Sequence, residues 1–121
     1  MRKPFCLALL LLAAATGAVC AEPVQIKPSL TRLNGNLELP AGKTATDGVV
    51  VIVHGTLSWH GQETIAALQR NLKQRGLGSL AITLSLGIDD RQRTRRCDVV
   101  HDYAMAGAKR EVGLWLHRWF D

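Results

Sequence analysis

Hydrophobic positions along this chain change period several times, and each period predicts a different element. Val49 to Val53 is an unbroken β-branched run ending at His54-Gly55, which predicts a strand buried on both faces. Ser79 to Leu84 predicts a second strand of the same kind. Between them, Ile65, Leu68 and Leu72 recur at helical spacing across Gln62 to Arg75, with Glu63 in the first turn and Gly76 as the stop. A second helix is predicted from about Asp98 to the end, with Val112, Trp115, Leu116 and Trp119 on one face. Upstream, Leu30 to Leu39 alternates around Asn34-Gly35, a pair that supplies the positive φ values of a tight turn and so predicts a β-hairpin. Glu22 to Ser29, with Pro23 and Pro28, reads as an extended lead-in, while Pro40 to Gly48 and Gly87 to Arg96 read as polar and charged loops. The order hairpin, strand, helix, strand, helix predicts an α/β sheet with parallel inner strands.

The first 21 residues obey a different rule. Arg2 and Lys3 precede an apolar run from Phe5 to Ala15, and Val19 and Ala21 stand where signal peptidase wants small side chains. Residues 1–21 therefore read as a signal peptide and 22–121 as one small domain, exported to the periplasm or the medium. Val19 argues against lipid attachment at Cys20. Without that segment Cys97 stands alone, so no internal disulfide is expected. Loss of Arg2 and Lys3 lowers the formal charge from +5 to about +3, with acids interspersed, which excludes the dense basic stripe of a nucleic-acid binder. No later apolar run approaches the ~20 residues that span a bilayer. Neither a stable membrane anchor nor nucleic acid is expected as a partner.

The segment from Val49 to Leu68, VVVIVHGTLSWHGQETIAAL, carries the chemistry. A buried strand breaks into His-Gly, a short loop follows, and then an amphipathic helix. In this it resembles the α/β-hydrolase superfamily of serine hydrolases, whose third strand ends in an HG turn. The resemblance covers about residues 30 to 121, the N-terminal part of that fold. It implies an incomplete α/β-hydrolase-type sheet, a β-hairpin and then β-α-β-α, truncated before the nucleophile strand. It also implies that the backbone N–H after the HG pair is half of an oxyanion hole, which points to Thr56 with Leu57 as neighbouring candidate. A fixed N–H at a sharp turn stabilises the charge that develops on a carbonyl oxygen during acyl transfer. Gly55 would permit close approach and His54 would hold the turn by hydrogen bonding. The implied substrate of the complete ancestor is a small ester, thioester or amide, with no cofactor.

The family's nucleophile stands on a Gly-x-Ser-x-Gly elbow. Ser29, Ser58, Ser79 and Ser85 have Lys27, Thr56, Leu77 and Thr83 two positions back, and none fits. Cys97 and Asp89 fail the same test, so no catalytic residue is identified. His54, Ser58 and His60 are close in sequence but lack an orienting acid. Asp98, His101 and Asp102 have spacings that share a helix face, yet such sets are common on solvated helices and no metal is assigned. Arg91, Arg93, Arg95 and Arg96 form a basic run between acids, which reads as a solvated loop. In the family's sheet order Val49–Val53 lies between the fourth strand and the nucleophile strand. Without the latter it becomes an apolar edge prone to self-association. Two other readings carry different functions. One is a non-catalytic exported protein, or a subunit that completes its sheet with a partner. The other is a small tetrapyrrole metal chelatase using His54, which the hairpin and the signal peptide oppose.

Overall fold

The computed structural model describes residues 21–120, except for the side chain of Phe120. Apart from Ala21, the expected signal segment lies outside the described residues. Strands β1 (Glu22–Ile26), β2 (Leu33–Glu38), β3 (Val49–Val53) and β4 (Gly78–Ile82) form one mixed sheet in the order β1-β2-β4-β3. Helix α1 (Glu63–Gln74) joins β3 to β4, and helix α2 (Met105–Phe120) follows β4 after a long loop. A single 3₁₀ turn, Ala45–Asp47, sits between β2 and β3, where Asp47 accepts the Thr44 N–H at 2.7 Å.

Each helix covers one face of the sheet. The α1 side buries Ile52 and Ala81 against Ile65. On the α2 side, Leu33, Leu37, Leu80 and Ile82 gather around Trp115, which is fully buried. β4 carries both layers and is buried at every position, because it pairs antiparallel with β2 and parallel with β3. Helix α1 ends in a Schellman arrangement: Gly76 N–H donates to Lys73 O and Leu77 N–H to Leu72 O, with Gly76 at φ +79°.

The hairpin exists but is displaced. Its strands are β1 and β2, paired from Glu22↔Leu37 to Ile26↔Leu33, so the expected lead-in is the first strand and the turn lies between residues 26 and 33. Asn34-Gly35 falls inside β2. A Cβ at Gly35 would lie 2.6 Å from Ala81 O, so this glycine serves the close approach of β2 to β4 rather than a turn. Asn34 is likewise held in the strand, its amide group donating to Arg91 O and to Asp90, both at 3.1 Å.

Three other expectations are corrected. β3 is an edge strand, so Val50 and Val53 are 40% and 45% exposed rather than buried on both faces. On α1, Leu68 faces outward and Gln69 is buried instead, donating to Asn36 O at 3.1 Å and to Ser79 Oγ at 3.2 Å. Helix α2 begins at Met105, not near Asp98, and the stretch from Cys97 to Ala104 is irregular. Replacing Gly35 with alanine is expected to destabilise the fold by about 1–3 kcal/mol, the usual range for forcing a methyl into filled space. A chemical-denaturation midpoint unchanged from that of the parent chain would contradict this assignment.

Candidate functional site

The C-terminal ends of β3 and β4 diverge, and side chains satisfy the backbone groups left there. Leu84 N–H donates to His54 Nε2 at 2.9 Å, and His54 Nδ1–H donates to Gly55 O at 2.6 Å. These two bonds fix one neutral tautomer. Burial lowers the His54 pKa, chiefly by disfavouring the charged ring. Both ring nitrogens are therefore engaged within the protein.

Arg91 completes the tie. Its guanidinium donates to Leu84 O at 2.8 Å and to Ser58 O at 2.7 Å, and lies 3.4 Å from His54 Nε2. Only 6% of Arg91 is exposed, which corrects the solvated reading of this arginine. Of its loop neighbours, Arg96 pairs with Asp98, and Asp89 accepts from the backbone N–H, Nε and a terminal nitrogen of Arg32 and is held down to about 2 by those bonds. Beneath lies a buried carboxylate that the sequence did not reveal. Glu111 of α2 accepts from Ser85 N–H at 2.8 Å and from Ser85 Oγ at 2.5 Å. A signal was available: Glu111 stands four residues before Trp115, on the helix face that is buried.

Gly55 O accepts from Ser58 N–H at 3.0 Å, closing a β-turn with Thr56 and Leu57 at its centre. Among the described residues, neither the Thr56 N–H nor the Leu57 N–H donates to a protein acceptor. Both residues are exposed, and the space where a Gly55 side chain would lie is open. A cavity of about 690 Å³ begins at this turn, with Gly55 and Thr56 at one end and Leu84, Leu86 and α2 as its walls.

Of the remaining serine, histidine and acid candidates, His101 alone among the described residues lines that cavity. Ser58 bonds to Gln62, near the start of α1. Ser79 and Ser85 are buried. His60 packs edge-on against Trp59, and Thr83 Oγ1 accepts its N–H at 2.9 Å while lying 2.5 Å from its Nδ1. Among the described residues no serine hydroxyl is bonded to a histidine, and no three His, Cys, Asp or Glu side chains come together as metal ligands. Asp98, His101 and Asp102 share no helix face, because their segment is not helical. The His101 ring nitrogens instead face Leu86 O and Arg96 O, and Asp98 faces Arg96.

The fold, a mixed sheet with a parallel β-α-β unit, has a counterpart among solved proteins. A serine hydrolase homologue of alpha-beta type from Coxiella burnetii superposes with a TM-score of 0.51 over 83% of this chain, at 19% identity. The fold is α/β-hydrolase-like. The chain spans 47% of that protein's length, so the shared architecture is a partial α/β-hydrolase-like fold. No protein-family model and no curated protein matches the chain. Among the described residues no helix is long and apolar enough to cross a membrane.

Burial sets a pH dependence on the site's histidines. It pushes His60 down to about 4, with the nearby His54 and Arg91 adding to the effect. In the unfolded chain His60 takes up its proton near pH 6.5, whereas in the native chain it stays neutral until about pH 4. Stability should therefore fall as pH drops from about 6.5 to about 4, and this histidine contribution levels off below. Melting temperatures across that window should show the decline, and His60→Gln should flatten it. A slope that His60→Gln leaves unaltered would refute the assignment.

Proposed function

We propose that this chain is an exported α/β-hydrolase-like protein carrying the oxyanion-stabilising turn of an ester, thioester or amide hydrolase. By itself it performs no hydrolytic turnover. The observation behind this reading is the Gly55–Ser58 turn at the tip of β3, whose Thr56 and Leu57 N–H groups have no acceptor among the described residues and whose Gly55 and Thr56 line a cavity. Donors fixed in advance stabilise developing negative charge without reorganising. Absence of turnover follows from the chemistry of the side chains present. These 121 residues contain no Gly-x-Ser-x-Gly, and the hydroxyls of Ser58 and Ser85 are committed to Gln62 and Glu111. The metal-insertion alternative would need a free ring nitrogen on His54, and both are occupied.

The test uses butylphosphonate, which presents a tetrahedral oxyanion. In ¹H–¹⁵N spectra the Thr56 and Leu57 amides should shift on titration. Thr56→Pro should weaken the effect several-fold, because proline fits the second position of the turn but lacks the N–H. Shifts that bypass both amides would overturn the reading, as would hydrolysis of p-nitrophenyl acetate that a fluorophosphonate silences.

A specific feature favours a second role, as a subunit that completes its sheet with another chain. Among the described residues β3 pairs only with β4, leaving its other edge open and Val50 and Val53 exposed. Valine-rich edges invite strand addition. Self-association that grows with concentration is expected in sedimentation velocity, with Val51→Pro reducing it. A monomer at every concentration would remove this role.

A further inference from the structure

The cavity beside the Gly55–Ser58 turn has an uneven charge distribution. Two cations, Arg95 and Lys109, line it, and no aspartate or glutamate does. Elsewhere in the fold cations near this site are committed: Arg91 to carbonyls, Arg96 to Asp98, Arg32 to Asp89. The buried carboxylate of Glu111 is spent on Ser85. Arg95 and Lys109 make no ion pair among the described residues.

Placement is set by backbone on both sides. Arg95 N–H donates to Leu57 O at 3.4 Å, so its side chain starts beside the turn. Met105, Ala108, Lys109 and Val112 line one stripe of α2 at offsets of three, four and seven. Lys109 thus projects from an otherwise apolar stripe. Opposite it, Leu84 and Leu86 supply more apolar wall. Such a volume with apolar walls and few charged groups suits a small molecule.

We propose that this cavity binds a single-chain amphiphile with one anionic head, of the fatty-acid carboxylate type. Arg95 and Lys109 take the head, and the apolar wall takes the chain. The assignment deepens the reading above and rests on it for treating the cavity as the place where substrate lies. Arg95 and Lys109 are exposed, so they draw the anionic head from solvent to the cavity mouth, and the chain gains from leaving water.

The experiment is isothermal titration calorimetry of the purified chain with decanoate, decanol, acetate and decyltrimethylammonium. Decanoate should bind at least tenfold more tightly than the other three. The Arg95→Gln, Lys109→Gln double variant should lose at least tenfold in decanoate affinity. Arg93→Gln, an exposed neighbour outside the cavity, should leave it unchanged. Lack of decanoate binding, equal binding of decanol or the cationic amphiphile, or full affinity in the double variant would overturn the proposal. Failure of the turn reading looks different: the Thr56 and Leu57 amides would ignore butylphosphonate while decanoate still bound through Arg95 and Lys109. An amide response without decanoate binding would remove the ligand class alone.

Discussion

Where β3 and β4 part company, Leu84 N–H, Leu84 O and Ser58 O lose any strand that could pair with them, and buried backbone groups without partners are expensive. The rest of the site depends on the solution adopted here. His54 takes the N–H and Arg91 takes the two carbonyls, so two side chains 37 positions apart do the pairing that a strand would do. Because His54 also fastens Gly55 O, the same imidazole that closes the sheet end sets the turn on which Thr56 and Leu57 ride.

A buried guanidinium is a demanding element in such a position. It always carries charge, and burial disfavours that charge, while Glu111 and Tyr103 counter the effect. Its Nε has no hydrogen-bond partner. The loop therefore has little freedom to slide: Asp89 and Asp90 hold it to Arg32 and Asn34 on one side, and Arg91 is wedged under the turn on the other. A lysine would be a poor substitute, since one ammonium cannot present the fixed fork that reaches Leu84 O and Ser58 O together.

How much of this was legible in sequence varied with the physics behind each element. Helix α1 and both parallel strands were legible because period and punctuation coincide: a β-branched run, a helical spacing, a glycine stop. Asn34-Gly35 misled because the same glycine serves a turn or a close strand approach, and only the location of Ala81 O decides which. Burial of β3 was overestimated because a residue's apolarity says what it prefers, while exposure depends on whether a neighbour exists. The arginine run was the hardest case. Arg91, Arg93, Arg95 and Arg96 look alike in sequence, yet one is buried on carbonyls, one pairs with Asp98 and one lines the cavity. The buried roles of Thr83, Ser85 and Glu111 went unread because polar side chains at strand ends and on helices usually meet water.

The strand order also carries a kinetic consequence. β2 and β3 share no hydrogen bonds with each other and meet only through β4, which the chain reaches some forty residues after β2. Until residues 78–82 arrive, the hairpin and the valine strand are separate pieces without a common core. Loop closure over such separations slows folding. The last strand inserted is thus the one that turns two halves into a sheet, and the turn at the tip of β3 acquires its shape only after that insertion.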